Sequence, residues 1–463
     1  MVHVNQAILG RDPDRTHRIN ANSFQQDAIK THSGWQYAVY YTAKDSTDHS
    51  PLFVTIARRN LNPPESWQTV VLSNYEQTID DGHNTISLGI SGGDGRIHLS
   101  FDHHCSQLNY IVSNPGVASA PESHPWSPSI FTFVQHTLPG DKNIRPDFFR
   151  EVSYPRFVSV DEDMLFAFRI GQAGSGSEVL YRYSSTTSHF TYAGTYLTGS
   201  GNSPYPNGLD YRRGKLHVSW CYRGFVEYEG VHDSASTAHK AQAGPNGPEN
   251  NYDLCYMYSD GLPVGKQWRG NDGGGIATIT AEEEEGEGKG TKCTVMPDTK
   301  GIRVFEIPKG SGILNQESQC MDWTGRFHVL NRENGSGVER WYVYSRDRSG
   351  VWRKTMVPDE EPTETGSRGT ICADRKGFTY IVLPGNGDDS LKVKRLDWKS
   401  EQFEQIWHGK GYDGEPLVDL ARLETEDVMS IFTRTNFDDD RQRQVVVLDI
   451  DLSQTFGSSL LTS

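Results

Sequence analysis

The stretch GDGRIHLSFDHH, Gly93 to His104, joins a Gly-Asp-Gly turn to a run in which apolar and polar residues alternate. Period-two alternation after a turn signal is the pattern of a β-strand. The unit recurs along the chain: a charged or glycine-bearing turn, then a strand that ends on a polar or charged residue. It reads SGWQYAVYY at Ser33 to Tyr41, DEDMLFAFR at Asp161 to Arg169 and RRGKLHVSWCYR at Arg212 to Arg223. It returns as WTGRFHVLNR at Trp323 to Arg332, RKGFTYIVL at Arg375 to Leu383 and TEDVMSIFTR at Thr425 to Arg434. Seven copies over 463 residues give about 65 residues each, more than the ~40–50 of compact propeller repeats. Long amphipathic helical patterns are hard to find. The expected fold class is all-β, a seven-bladed β-propeller of four-stranded antiparallel blades, because radial repetition disposes of most sheet edges.

One domain spanning 1–463 is expected, with a surplus at about 225–315 read as a long acidic loop insertion. It holds the run TAEEEEGEGKG, Thr280 to Gly290, read as a solvated loop with calcium binding as the alternative. Two segments, YSDGLPVGKQW (Tyr258 to Trp268) and YSRDRSGVW (Tyr344 to Trp352), have the form of degenerate Asp-boxes. Short Asp and Ser side chains hold their own backbone in a turn, and the Trp is expected between blades.

The formal charge of -15 and pI near 5.5 argue against a nucleic-acid or acidic-membrane binder, since phosphate affinity needs a basic face. An anionic substrate would need a local arginine cluster. The N-terminal stretch lacks the apolar core of a signal peptide. The chain is therefore read as intracellular or as a mature secreted form with a start methionine added. Six scattered cysteines without a CxxC pair exclude the usual zinc-ribbon spacing. The sequon Asn334-Gly335-Ser336 and the Tyr, Trp and Gly usage lean towards secretion.

In a propeller, strand ends from several blades converge on the axis, so the last residues of each unit are informative. Arg169, Arg223, Arg332 and Arg434 occupy such positions, and one unit ends in His103-His104. Arginine suits a convergent anion site because its planar fork grips a carboxylate bidentately. Tyr154, in SYPRF, precedes Arg169 by about one strand, and a phenol beside a guanidinium can have its pKa depressed. The histidines of Asp80 to Cys105 (His83, His98, His103 and His104) fit no compact zinc motif, and His98 is read as structural.

The ordered set DGHN, DGRIHLSFDHH, SYPRF, FAFRIG, LHVSWCYRG and YDLCYMYSDG, from about Asp80 to Trp352, resembles the BNR-repeat-like seven-bladed propeller polysaccharide lyases. Among them it is most similar to the fungal L-rhamnose-α-1,4-D-glucuronate lyases of polysaccharide lyase family 27, related to ulvan lyases. The resemblance implies catalytic roles for Tyr154, His104, Arg169 and His83. It implies saccharide contacts from Arg223, Asn84, His103, Trp220 and Arg332. The zinc held by His and Cys in some members is not expected, since Ile170 to Ser185 contains neither residue type. The implied reaction is β-elimination at a 4-linked glucuronate, as in gum arabic, releasing L-rhamnose. Tyr154 is the first choice of base, with an acid role also open to it, and His104 is its partner or the alternative base. No cofactor is expected for catalysis; a structural Ca2+ in the axial channel stays open. The expected partner is an acidic, glucuronate-bearing glycan, with no nucleic acid or membrane, acted on by a secreted monomer. The rival readings are a sialidase-like glycoside hydrolase and a non-catalytic glycan-binding propeller.

Overall fold

A computed structural model describes residues 2–45, 50–141, 147–227, 247–280, 294–358, 362–363 and 366–453. They form seven antiparallel sheets arranged as the blades of a propeller. From axis to rim, blade 1 comprises Ile29–His32, Trp35–Ala43, Leu52–Asn60 and Gln68–Gln77. Blade 2 has Ile86–Ile90, Ile97–Phe101 and Tyr110–Val112, with single bridges from Ser113 to Phe131 and Tyr110 to Gln135 at its rim. Blade 3 has Val152–Val160, Asp163–Ile170, Ser177–Ser184 and His189–Thr198, and the short strand His104–Ser106 joins its inner edge. Blade 4 runs Asn202–Arg212, Lys215–Gly224, Asn251–Asp260, Gln267–Arg269 and Gly275–Thr278, with Arg303–Phe305 pairing to its third strand. Blade 5 is Ser318–Met321, Phe327–Glu333, Arg340–Arg346 and Trp352–Met356; blade 6 is Thr370–Ala373, Phe378–Pro384, Ser390–Asp397 and Gln402–Lys410. Blade 7 is Leu417–Val418, Val428–Arg434 and Gln444–Asp451, completed by His3–Arg11.

Each of the seven recurring units supplies the second strand of one blade. These strands are buried on both faces, which is why Ile97–Phe101 has no exposed residue despite its alternation: His98 and Ser100 face the neighbouring blade. His98 is held there by Tyr110 Oη at 2.6 Å and Ser91 Oγ at 3.2 Å. The span 225–315 is not a single loop insertion. It contains Asn251–Asp260, a full ladder partner of Lys215–Gly224, and blade 4's outer strands. A search tuned to second strands passes over a third strand that lacks the turn signature. Most of the acidic run, from residue 281, lies outside the described residues.

The Asp-box-like turns are structural. Asp347 Oδ1 accepts from the backbone N–H groups of Ser349 and Val351 and from Ser349 Oγ. Trp352 packs edge-on to Tyr256 and Phe327, between blades 4 and 5. Trp268 stacks on Tyr196 at the seam of blades 3 and 4.

The topology sorts the loops onto two faces. Connections from one blade to the next, and from second to third strand, emerge together on one face. First-to-second and third-to-fourth turns lie on the opposite face. Between them, on the axis, lies a cavity of about 360 Å³ lined by the carboxylates Asp27, Asp210, Glu317, Asp419 and Glu424 together with Lys30, Arg156 and Arg212. Its acidic groups are therefore set against cationic ones. Burial pushes the Asp210 carboxyl up to about 7. Among the described residues no helix is long and apolar enough to cross a membrane.

Candidate active site

His83, His104, Tyr154, Arg169 and Arg223 all emerge on the first face, and the structure brings them together. The histidines are organised by a residue the sequence reading did not single out. Asp81 Oδ1 accepts from His83 Nδ1 at 2.6 Å, and its Oδ2 accepts from His104 Nδ1 at 2.7 Å. The rings stack at 3.9 Å with an interplanar angle of 24°. Phe24 stacks on the other face of His83 at 4.9 Å. With both Nδ1 atoms given to one carboxylate, each neutral imidazole keeps its lone pair on Nε2. Asp81, His83 and His104 can offer ligand atoms within 4.8 Å of one another.

Burial works to raise the Asp81 carboxyl, but hydrogen bonds from His104 and His83 outweigh it and hold the group far below the usual range. Burial, reinforced by His83, pushes His104 down to about 3, against the pull of Asp81. His104 is thus neutral at physiological pH, its Nε2 able to accept a proton.

Tyr154 owes its position to a break in the ladder. Ser153 pairs with Arg169 and Arg156 with Ala167, so Tyr154 and Pro155 together face Phe168 as a bulge. Tyr154 has φ 56°, a left-handed conformation costing about 1–3 kcal/mol for a non-glycine residue. The bulge aims the ring at His83 (5.9 Å), His104 (6.5 Å) and the Arg169 guanidinium (4.8 Å). The expected depression of its pKa does not hold. Burial raises the phenol, and Arg169 and Arg223 only partly offset this. Tyr154 therefore enters any reaction as a protonated phenol.

The four strand-end arginines divide into two kinds. Arg332 is buried against Glu317 at 3.2 Å and over the Trp341 ring. Arg434 is paired with Asp12 and Asp413. Both are spent on structure. Arg169 donates instead to side chains other than carboxylates, Tyr205 Oη, Ser153 Oγ and Cys105 Sγ. Arg223 donates to the side-chain carbonyls of Asn251 and Asn315. The Tyr205 ring lies between these guanidiniums, 5.7 Å from Arg169 and 5.2 Å from Arg223. Neither arginine has a carboxylate within ion-pair distance among the described residues. Glu178, opposite Arg169 on the next strand, is buried and pushed up to about 7.

Other expected contacts lie elsewhere. Trp220 is wholly buried among Tyr222 and the core of blade 4, so it has no face for a sugar. His103 is buried too, and its Nε2 accepts the Asn109 N–H at 2.8 Å; it holds the loop that carries His104. Arg332 cannot bind saccharide while locked to Glu317. Asn84 is buried beside Asp81, whose carbonyl accepts its N–H, and its Oδ1 has no hydrogen-bond partner among the described residues.

Tyr205 was legible as a second Tyr-Pro, Tyr205-Pro206, one blade after Tyr154-Pro155. Phe24 and Arg368, whose guanidinium lies 4.7 Å over the Phe24 ring, carried no such signal.

A propeller whose axis mouth gathers a histidine pair, a tyrosine and two arginines with no paired carboxylate among the described residues is a fold and site suited to an acidic ligand. The profile of the BNR repeat-containing family matches residues 35–360, and the chain belongs to that family. It is 25% identical to the long isoform of ulvan lyase from an Alteromonas species, over 83% of this chain and 38% of that protein. It is likewise 25% identical to the long ulvan lyase of Pseudoalteromonas sp. strain PLSV, over 94% of this chain and 44% of that protein. The chain thus spans less than half the length of these curated relatives. In fold it is similar to polysaccharide lyase Uly1, with a TM-score of 0.68 at 16% identity over 97% of this chain and 99% of the other. It is also similar to a PL25 ulvan lyase bound to -[GlcA(1-4)Rha3S]-, with a TM-score of 0.65 at 12% identity over 96% of both chains.

Proposed function

We propose that the protein is a secreted polysaccharide lyase that cleaves a rhamnosyl-α-1,4-glucuronate linkage by β-elimination. The observation that carries this reading is the pair Arg169 and Arg223, held by hydroxyl, thiol and amide side chains and by no carboxylate among the described residues, beside Tyr154 and His104. A uronate carboxylate supplies the missing negative charge. The curated relatives are ulvan lyases, and the ligand in the similar solved structure joins glucuronate to a sulfated rhamnose, which supports the same pair of sugars here.

The chemistry follows from the protonation states. The proton at C5, alpha to an ionised carboxylate, is very weakly acidic. Pairing that carboxylate with guanidinium and stabilising the enolate that develops is the largest catalytic contribution. His104 Nε2 takes the C5 proton, and the Asp81 carboxylate stabilises the imidazolium that forms, as the buried carboxylate does in hydrolase triads. Electrons from the C5–H bond form the C4–C5 double bond as the C4–O bond breaks. Tyr154, kept protonated by burial, donates its proton to the departing rhamnose oxygen. In D-glucuronate the C5 hydrogen and C4 oxygen share one face of the ring, so this is a syn elimination served from one side of the cleft. Of the two arrangements the sequence leaves open, this takes the alternative, with His104 as base and Tyr154 as acid.

The test is incubation with gum arabic and, in parallel, ulvan. New ultraviolet absorbance from a conjugated unsaturated uronate, with release of L-rhamnose from gum arabic, is the expected result. Free sugar without that absorbance would mean a hydrolase, and retention without product a binding module. Tyr154→Phe should abolish turnover while leaving the melting temperature within a few degrees of the parent.

A further inference from the structure

On the face opposite the candidate active site, a groove of about 700 Å³ runs between blades 5 and 6, a volume in the range of ligand clefts. Its walls are the first-to-second and third-to-fourth turns of both blades. Four of its lining residues are cationic, Arg326, Arg348, Lys376 and Lys399, against two acids, Asp347 and Asp397. Both acids are turned onto their own backbone. Asp347 holds the turn described above, and Asp397 Oδ1 accepts the Lys399 N–H while its Oδ2 accepts from Ser400 Oγ. Lys376 reaches Asp427 at 2.8 Å. The groove floor is a fixed indole. Trp398 stacks on buried His328 at 5.0 Å, donates Nε1–H to Thr379 Oγ1 at 2.9 Å, and carries the Arg326 guanidinium 5.3 Å from its ring.

The arrangement is continued one seam over. Trp323, in the first turn of blade 5, has the Arg212 guanidinium at 4.4 Å and Arg375 at 4.7 Å, with Arg212 also paired to Glu424. A cationic band with two ordered indoles, crossing three blades, stands out on a chain of net charge -15. Surface charges that serve only solubility are normally interspersed in sign, and a general field of this protein repels polyanions.

We propose that this groove is a second, non-catalytic docking site for a uronate-bearing polysaccharide chain. Guanidinium groups anchored over indoles accept carboxylates while keeping a planar donor edge free. The inference rests on the lyase reading for its ligand class, because the same polymer that enters the cleft would be held on the far face. A docked polymer raises the effective concentration of its cleavable ends at the cleft without new contacts there.

The experiment uses the full chain carrying Tyr154→Phe, which should bind without turnover, run in native gels containing gum arabic or polygalacturonate. Arg326→Ala with Lys399→Ala, and separately Arg348→Glu with Lys399→Glu, should each reduce the retardation by about fivefold, most strongly at low salt. In the otherwise wild-type enzyme the same changes should raise KM on the polymer by about threefold, with kcat, melting temperature and KM on a short rhamnosyl-glucuronate oligosaccharide unchanged. Undiminished retardation in both variants overturns the proposal. So does equal retardation by a neutral glucan, or stronger retention by duplex DNA. Retardation of a parent protein that shows no elimination on any glycan, lost in both groove variants, would refute the lyase reading and leave the groove assignment standing.

Discussion

One carboxylate, Asp81, decides which nitrogen of two histidines is free. Replacing it with asparagine keeps the shape but allows the amide to donate, so Nδ1 need no longer carry the proton. Asp81→Asn should lower kcat by about a hundredfold with a much smaller change in KM, measured as unsaturated-uronate formation. If kcat stays near the parent value, the tautomer argument fails. Arg223 offers a complementary test. It is held by asparagines rather than acids, so Arg223→Ala removes a ligand contact without stranding a buried counter-charge. KM for the uronate should rise by roughly tenfold, the scale of one charge-assisted hydrogen bond, with stability preserved. In contrast, Arg332→Ala strands Glu317, which is buried and bonded also to the Gly369 N–H. That substitution should cost about 3–5 kcal/mol of stability, read by denaturant titration, before activity is considered.

Strands and turns were the most legible level. Alternation plus a turn signal located the second strand of every blade, since that strand has the strictest burial and the tightest entry. The third strand of blade 4 is hidden within the surplus at 225–315 because its entry lacks that signal. Side-chain partnerships were less legible. Nothing local distinguishes Arg223 from Arg332, since the partners that separate them, Asn315 and Glu317, lie about 90 and 15 residues away respectively. Asp81 sat in plain view in DDGHN, but an aspartate before glycine is read as a turn residue by default. Asp94 shows what such a turn contributes. Its Oδ2 accepts from Tyr183 Oη at 2.6 Å and Ser188 Oγ at 3.2 Å in blade 3, while its Oδ1 accepts the Arg96 N–H. Asp94→Ala should therefore destabilise the fold by about 2 kcal/mol and lower the unfolding midpoint in urea. Activity per folded molecule should remain intact.

At the scale of the whole molecule, acid should be the weak side. His98, His103, His104 and His217 are each lowered to about 3, with burial the leading cause. The unfolded chain protonates its histidines near 6.5. Their contribution to stability is thus complete above about 6.5 and is lost progressively as pH falls towards about 3. Asp210 and Glu178, raised to about 7 by burial, act in the opposite sense between about 4 and 7. The four histidines outnumber them, so melting temperature should fall as pH drops below about 6; a flat profile down to pH 4 would contradict the buried neutral histidines. Blade 7 adds a different consequence. Its closing ladder sets His3 directly opposite Asp451, so the two ends of the ring-forming chain meet as neighbours on adjacent strands. Pulled apart from those two points, the ring would open as a zip, one residue pair at a time, rather than resist as a sheared sheet. For the same reason the two points can be joined by a short peptide and the chain reopened at the Ser33-Gly34 turn, giving a circularly permuted ring in which blade 7 is made of consecutive strands and the two new ends meet in blade 1.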